Sequence, residues 1–383
     1  MGLGSPARSP DGLRLDYLGV MFKNIAKFLA AVEPVWVATC VALVFVFHIF
    51  GWHLLGTRSG FLWLWLGLGL VPIILRRMVY GRVEFATPFD FSIALLMLGA
   101  LIGVIASPQY DLSLGAFQCM LAMCLVYYSW LSHPRLATMM RFALPLSLLG
   151  LLIAFLVVFP QLGKPASDPE SLPNTYHGLA MCLLVAAIIL GAVALFRGHK
   201  KERVAAGLIS LCLLIATFMI VRESLPRLAH GDSVGGRLAR WETTVSLLRD
   251  SPFTGLGLGC WAFVYHHDSM TIVPPTHVHN AYLELYANTG ILGLIALIIA
   301  LGVGAKLALQ IVKSPRDSEW YGFGIGVVVA CLAVLVVGIL ESAPVGVAVP
   351  QSNTYFYLIS PAPWILCGLM VIAHRLITRG TTG

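Results

Sequence analysis

Ten stretches of apolar residues, most of them about as long as a membrane-crossing helix, alternate along the chain with polar connections. A helix needs about 20 apolar residues to cross a bilayer. Runs of that kind fall at 34–50, 60–79, 89–106, 113–131, 142–160, 178–196, 204–221, 281–304, 320–340 and 355–373. The pattern predicts an all-α, polytopic membrane protein in four parts. These are an N-terminal segment (1–33), seven transmembrane helices (34–221), a long polar loop (222–280), and three more helices with a short tail (281–383). Within 13–29, Leu15, Leu18, Phe22, Ile25 and Leu29 recur at helical spacing, with Lys23 and Lys27 elsewhere on the wheel. This is the pattern of an amphipathic helix on a membrane surface; a frayed tail is the alternative.

Composition agrees with the pattern. Only 11% of residues are charged and the mean hydropathy is +0.85, against about 25% charged in soluble domains. The net charge of +7 does not point to nucleic acid, because the basic residues are scattered over many connections. They speak of topology instead. With the N-terminus in the cytoplasm, 18 of the 25 Lys and Arg fall on the inner side and the alternation holds at every loop. Both termini are then cytoplasmic, and 222–280 lies on the non-cytoplasmic side of the membrane. The first apolar run reads as an uncleaved signal anchor. Seven of the eight cysteines sit in apolar runs, and Cys260 alone lies in the long loop. No CxxC pair or disulfide framework is present.

Five of the seven outside basic residues lie between Arg222 and Arg249, against the usual charge asymmetry. An anionic ligand would compensate for them; salt bridges to Glu223, Asp232, Glu242 and Asp250 are the alternative. Gly235–Glu242 opens a helix in which Leu238, Trp241, Val245 and Leu248 predict an apolar face. Arg237 falls in its first turn, where free N–H groups already favour an anion and a guanidinium fork suits phosphate. Ser251–Gly259 is glycine-rich without matching a dinucleotide fingerprint, and reads as a tight re-entrant turn that permits close backbone approach. His279 sits where the loop becomes a membrane helix, placed to accept a proton near neutral pH; an interfacial histidine is the plainer reading. His230, His266, His267 and His277 accompany it, without the spacing of a zinc site. No metal and no cofactor is expected.

The run His279-Asn280, nine residues, Gly290, two residues, Gly293 resembles the motif of bacterial O-antigen ligases, departing from it at Leu294. Gly236-Arg237-x-x-x-Trp241 and Ser251-Pro252-x-x-Gly255-x-Gly257 resemble that family's large periplasmic loop. O-antigen and exopolysaccharide polymerases share much of the pattern. The resemblance implies a GT-C-like fold and a glycan donor carried on undecaprenyl pyrophosphate. It implies transfer of that glycan to lipid A–core by a ligase, or to a second glycan by a polymerase. By position His279 matches the family's essential histidine and Arg237 its loop arginine; Arg222 is the candidate for a second pyrophosphate-binding arginine. Arg240, Asn280, Glu284, Tyr282 and His177 are supporting candidates. Asn280 also suits a helix N-cap, and Glu284 needs a partner, for which a loop arginine is expected. A transporter is the rival from another class; it should show broken helices or charges at mid-bilayer.

Overall fold

A computed structural model describes residues 20–29, 32–50, 58–81, 86–133, 136–158, 173–196, 200–231, 234–269, 277–340, 342, 346–351, 354–359 and 362–380. The helices are α1 Val20–Leu29, α2 Glu33–Phe50, α3 Arg58–Tyr80, α4 Asp90–Ile105, α5 Tyr110–Leu131, α6 Leu136–Val158 and α7 Pro173–Phe196. They continue with α8 Lys200–Gly231, α9 Val234–Asp250, α10 Trp261–Ser269, α11 Ala281–Val312, α12 Tyr321–Leu340 and α13 Ala362–Gly380. Nine of the ten apolar runs read from the sequence each coincide with one of these helices. Among the described residues five are long and apolar enough to cross a membrane: Gly60–Tyr80, Tyr110–Leu131, Lys200–Arg222, Ala281–Val312 and Tyr321–Ile339. The bent pair Val20–Leu29 and Glu33–Val44 would make a sixth if it forms one span.

Two boundaries differ from the sequence reading. The helix expected to stop at 221 continues to Gly231. The apolar run placed at 355–373 divides into the strand β2, Thr354–Ile359, and α13. That strand pairs antiparallel with β1, Gly346–Gln351, in register Gly346 to Ile359 and Gln351 to Thr354. A short apolar run rich in aromatic and β-branched residues fits strand as well as helix. In α1 the side chains of Val20, Phe22, Ile25 and Phe28 are all exposed, so the helix buries little of itself within the protein. Residues 13–19 of the expected amphipathic helix lie outside the described residues.

The chain forms two compact units, Met1–Phe85 with Cys124–Pro134, and Ala86–Met123 with Arg135–Gly383. In the first, a buried ion pair joins Glu33 at the start of α2 to Arg76 near the end of α3. Ser129 of α5 adds its hydroxyl to Glu33 at 3.0 Å and its carbonyl to Arg76 at 3.2 Å. Charges inside an apolar bundle persist only when paired in this way.

In the second unit α7 packs on α8 and α12, and α11 packs on α4, α12 and α13. Apolar helices in lipid gain little from burying apolar surface, so close approach through small residues takes over. A Cβ added at Gly326 of α12 would stand 2.7 Å from Ile189 Cα of α7, and one at Gly99 of α4 would stand 2.7 Å from the Thr289 carbonyl of α11.

Candidate active site

The site is built where α11 begins and where it breaks. At Gly290 the backbone leaves helical geometry, with φ 62° and ψ −161°. That conformation is open essentially to glycine alone, and a Cβ at Gly290 would overlap the carbonyl of Phe253. The polar groups freed by the break are taken up by the loop 251–260. Leu256 N–H donates to the Ala287 carbonyl at 2.7 Å, and Ile291 N–H donates to the Pro252 carbonyl at 3.1 Å. Gly259 N–H donates to Asn288 Oδ1 at 2.7 Å. On its other side the loop meets α4 and the start of α5: Leu258 N–H reaches the Gly103 carbonyl, and Ser113 Oγ donates to the Leu258 carbonyl at 2.6 Å. Gly255 (φ 70°) and Gly257 (φ 96°) make the turns. The glycine-rich segment is thus a re-entrant turn seated in the gap of a broken helix, which is how irregular backbone is tolerated in an apolar setting.

About three helical turns before the break stands the histidine segment. His279 is the one described non-glycine residue with positive φ, at 60°. Such backbone costs an L-residue roughly 1–2 kcal/mol and tends to collect at functional sites. The rings of His277 and His279 lie 3.9 Å apart between centroids, tilted by 53°; His277 is buried and His279 half-buried.

Asn280 is the N-cap of α11: its Oδ1 accepts from Tyr282 N–H at 3.1 Å and Leu283 N–H at 2.9 Å, and its Nδ2 donates to the Ile339 carbonyl of α12. Tyr282 donates its hydroxyl to the Leu335 carbonyl, so it braces α11 against α12. Glu284 is 1% exposed. Its carboxylate accepts from Val278 N–H at 3.0 Å, Ser342 Oγ at 3.3 Å and Asn288 Nδ2 at 3.3 Å. The loop arginine expected as its partner is not among these, because backbone and neutral donors already fill the carboxylate.

The α9 helix docks onto this segment. Trp241 Nε1 donates to the Val278 carbonyl at 3.1 Å, and Trp261 Nε1 donates to Thr244 Oγ1 at 2.8 Å. The inward face of α9 therefore holds Trp241, Thr244 and Leu248. Leu238 and Val245, expected on the same face, are 53% and 45% exposed. Arg237 lies one turn before Trp241 on the inward side, and Arg240 lies one turn before Thr244. Both arginines are half-buried, and Arg237 Nε, Arg240 Nη1 and His279 Nδ1 are shielded from solvent.

Arg222 is an exposed residue within α8, and among the described residues no hydrogen bond or ion pair joins it to this cluster. His177 falls on α7, as does Asn174, with side chains outside the described residues; the same holds for His230, His266 and His267. Sequence reading missed Ser342 and Asn288, and only the glycine motif hinted at the break that brings Asn288 to the loop. Cys260, 0% exposed, lies 3.1 Å from Ser107 Oγ. Burial pushes its thiol above the ordinary range, with the Ser107 and Ser113 hydroxyls pulling the other way.

Several helices long and apolar enough to cross a membrane, with a histidine turn tied to the helix that carries Arg237 and Arg240, mark a multi-pass membrane protein. Residues 171–298 match the O-antigen ligase family model, Wzy_C, and that segment takes in α7 to α10, the histidine turn and the break in α11. The match, confined to that segment, supports the O-antigen ligase superfamily. No curated protein matches the chain.

Proposed function

We propose that this protein is a glycosyltransferase of the bacterial inner membrane that moves a glycan en bloc from undecaprenyl pyrophosphate to a sugar hydroxyl of lipid A–core. The observation that carries the reading is the hydrogen bond from Trp241 to the Val278 carbonyl, which ties the arginine-bearing helix α9 to the turn that holds His279. It lies inside the segment that matches the ligase family.

In this reading the acceptor hydroxyl attacks the anomeric carbon while His279 takes its proton. The bond from that carbon to the pyrophosphate oxygen breaks, and its electron pair leaves with undecaprenyl pyrophosphate. Arg237, with Arg240 beside it, neutralises the departing phosphate; donors aimed at developing charge in a water-poor site are each worth about two to three powers of ten in rate. Attack from the face opposite the leaving group inverts the anomeric configuration. The arginines do the neutralising, so the scheme calls on no metal ion and no further cofactor. Arg222 is kept as a second donor-binding arginine only on the family pattern.

The topology in this proposal has ten spans in a GT-C-like arrangement, cytoplasmic termini and a periplasmic site loop over 222–280. Contacts between connections support it. Arg141 pairs with Glu319 at 3.1 Å and Arg375 donates to the Ala86 carbonyl, each joining segments that charge assigns to the inner side. Ser107 meets Cys260, and Ser342 meets Asn280, each joining segments assigned to the outer side. A transporter reading would draw on the break in α11, but the freed groups there are occupied by loop backbone.

The test is transfer of an undecaprenyl-pyrophosphate-linked glycan to lipid A–core by protein in detergent, wild type beside His279→Ala, with chelator present. Transfer by wild type and none by a folded variant is expected. Lengthening of the donor glycan with lipid A–core untouched would make the protein a polymerase, the reading that the departure at Leu294 keeps open. Neither reaction, with a range of donors, would remove the transferase assignment.

A further inference from the structure

The backbone N–H groups of Val278 and Asn280, the residues flanking His279, are both held by one small network. Val278 N–H donates to Glu284 Oε2 at 3.0 Å. Asn280 N–H donates to Ser342 Oγ at 3.1 Å, and the same hydroxyl donates to Glu284 Oε2 at 3.3 Å. Glu284 and Ser342 are 1% and 0% exposed, so water does not compete for these bonds. On the far side of the carboxylate, Asn288 Nδ2 donates to Oε1 and Asn288 Oδ1 accepts from Gly259 N–H. The network thus runs from the segment after α12, through the first two turns of α11, to the re-entrant loop.

A histidine does not adopt φ 60° without support. The plane after His279 carries the Asn280 N–H, held by Ser342. The plane before it carries the Val278 carbonyl, held by Trp241 at 3.1 Å, and Glu284 anchors the other end of Val278 through its N–H. Fixing the planes on both sides of a residue fixes its φ and ψ. We infer that Glu284 and Ser342 are positioning residues that impose the left-handed backbone of His279 and so aim its imidazole. The inference deepens the glycan-transfer reading and rests on it for its kinetic arm. Glu284 is neither the proton acceptor nor a donor-binding group here: its hydrogen bonds all come from donors of the protein, with His277 as an electrostatic neighbour, and it bears on His279 through Val278 and Ser342.

Two features of this arrangement bear on the test. Glu284 is central to several bonds, and Glu284→Ala leaves three buried donors without an acceptor, so that variant risks failing to fold. Ser342→Ala removes a single hydroxyl and leaves the Val278–Glu284 and Asn288–Glu284 bonds in place. Glu284→Gln keeps the shape but sets an amide N–H₂ against a neighbouring donor.

The experiment is a steady-state comparison of wild type, Ser342→Ala and Glu284→Gln in detergent, with the His279 imidazole followed by NMR on histidine-labelled protein. His279→Ala identifies the resonance. Misaiming a catalytic group by about 1 Å costs on the order of a hundredfold. We expect kcat to fall about tenfold to a hundredfold in both variants, with the donor KM within about twofold of wild type. The His279 resonance should shift or broaden in both. In a His279→Ala background Ser342→Ala should leave the residual rate unchanged. An unmoved resonance in folded Ser342→Ala protein overturns the inference. So does a loss of rate that merely follows the loss of folded protein, or one that appears in the donor KM alone. The NMR arm needs no substrate, so a wild type that transfers nothing counts against the transferase reading, while the resonance still decides whether Glu284 and Ser342 hold the histidine.

Discussion

Gly290→Ala should dislodge the re-entrant loop, and the size of the effect follows from the geometry. At φ 62°, ψ −161° an alanine is strained by roughly 1–3 kcal/mol. Its Cβ would also overlap the Phe253 carbonyl, and the loop must back away. That breaks the bonds from Leu256 N–H to the Ala287 carbonyl and from Ile291 N–H to the Pro252 carbonyl. The Ala287 carbonyl and the Ile291 N–H, left in the gap of the helix without a partner, each cost about 1–3 kcal/mol. The total, roughly 3–9 kcal/mol, is a large part of the 5–15 kcal/mol that stabilises a typical protein, so local opening is favoured well before global unfolding. Cys260, at the end of the loop and 0% exposed, reports the opening. Its alkylation by a water-soluble maleimide, read on its own peptide by mass spectrometry, should quicken by at least about a hundredfold, since 1.4 kcal/mol is a factor of ten. The control is Gly302→Ala in the same helix, where an added methyl meets no atom within 4 Å. If Gly290→Ala is labelled no faster than Gly302→Ala, the loop is not held by the break and the reasoning fails.

Three further outcomes are expected. In wild type, Cys260 should alkylate slowly at pH 7.5 and keep accelerating above the pH where ordinary thiols level off, because a raised thiol pKa leaves little thiolate at neutral pH; a plateau near pH 9 would contradict this. Arg76→Ala or Glu33→Ala alone should cost about 3–5 kcal/mol, read as a lowered thermal midpoint in detergent, whereas Glu33→Gln with Arg76→Met should recover much of it; a double variant as unstable as the singles would show that the pair is not acting as a unit. On α9, Leu248→Ala should destabilise the docked helix by about 2–5 kcal/mol, while Leu238→Ala and Val245→Ala change stability by less than about 1 kcal/mol. Equal losses at all three positions would restore the apolar face read from the sequence.

The helices were legible because lipid imposes one simple demand, a long apolar run with its backbone bonded internally. What replaced helix at 354–359 was not, since Tyr355-Phe356-Tyr357-Leu358-Ile359 is apolar in either conformation. The α9 face was misread for a related reason. Leu238 and Val245 are spaced like core residues, but a helix at a membrane boundary has two apolar neighbours to choose from, and hydropathy does not say which. The histidine turn announced itself through Gly290 and Gly293 as a pattern; that Gly290 opens the helix to a loop some 35 residues earlier in the chain is visible only in three dimensions. Glu284 was read as needing a partner, and arginine was the natural expectation for a carboxylate near lipid. Its actual partners are a peptide N–H and uncharged side chains, and a serine 58 residues away leaves no periodicity to follow.

The seating of the loop in α11 also sets an order of assembly. Helix α4 is synthesised long before the loop that rests on it and the broken helix that covers that loop, so its Gly99 and Gly103 face must wait for most of the chain to arrive. The hydroxyl of Ser342, which completes the hold on the histidine turn, arrives later still. A nascent chain therefore carries an unclosed apolar seam through much of its insertion, a state that invites wrong helix partners. A chain cut short before residue 342 would possess His279, Arg237 and Arg240 while lacking the clasp that gives the histidine its conformation.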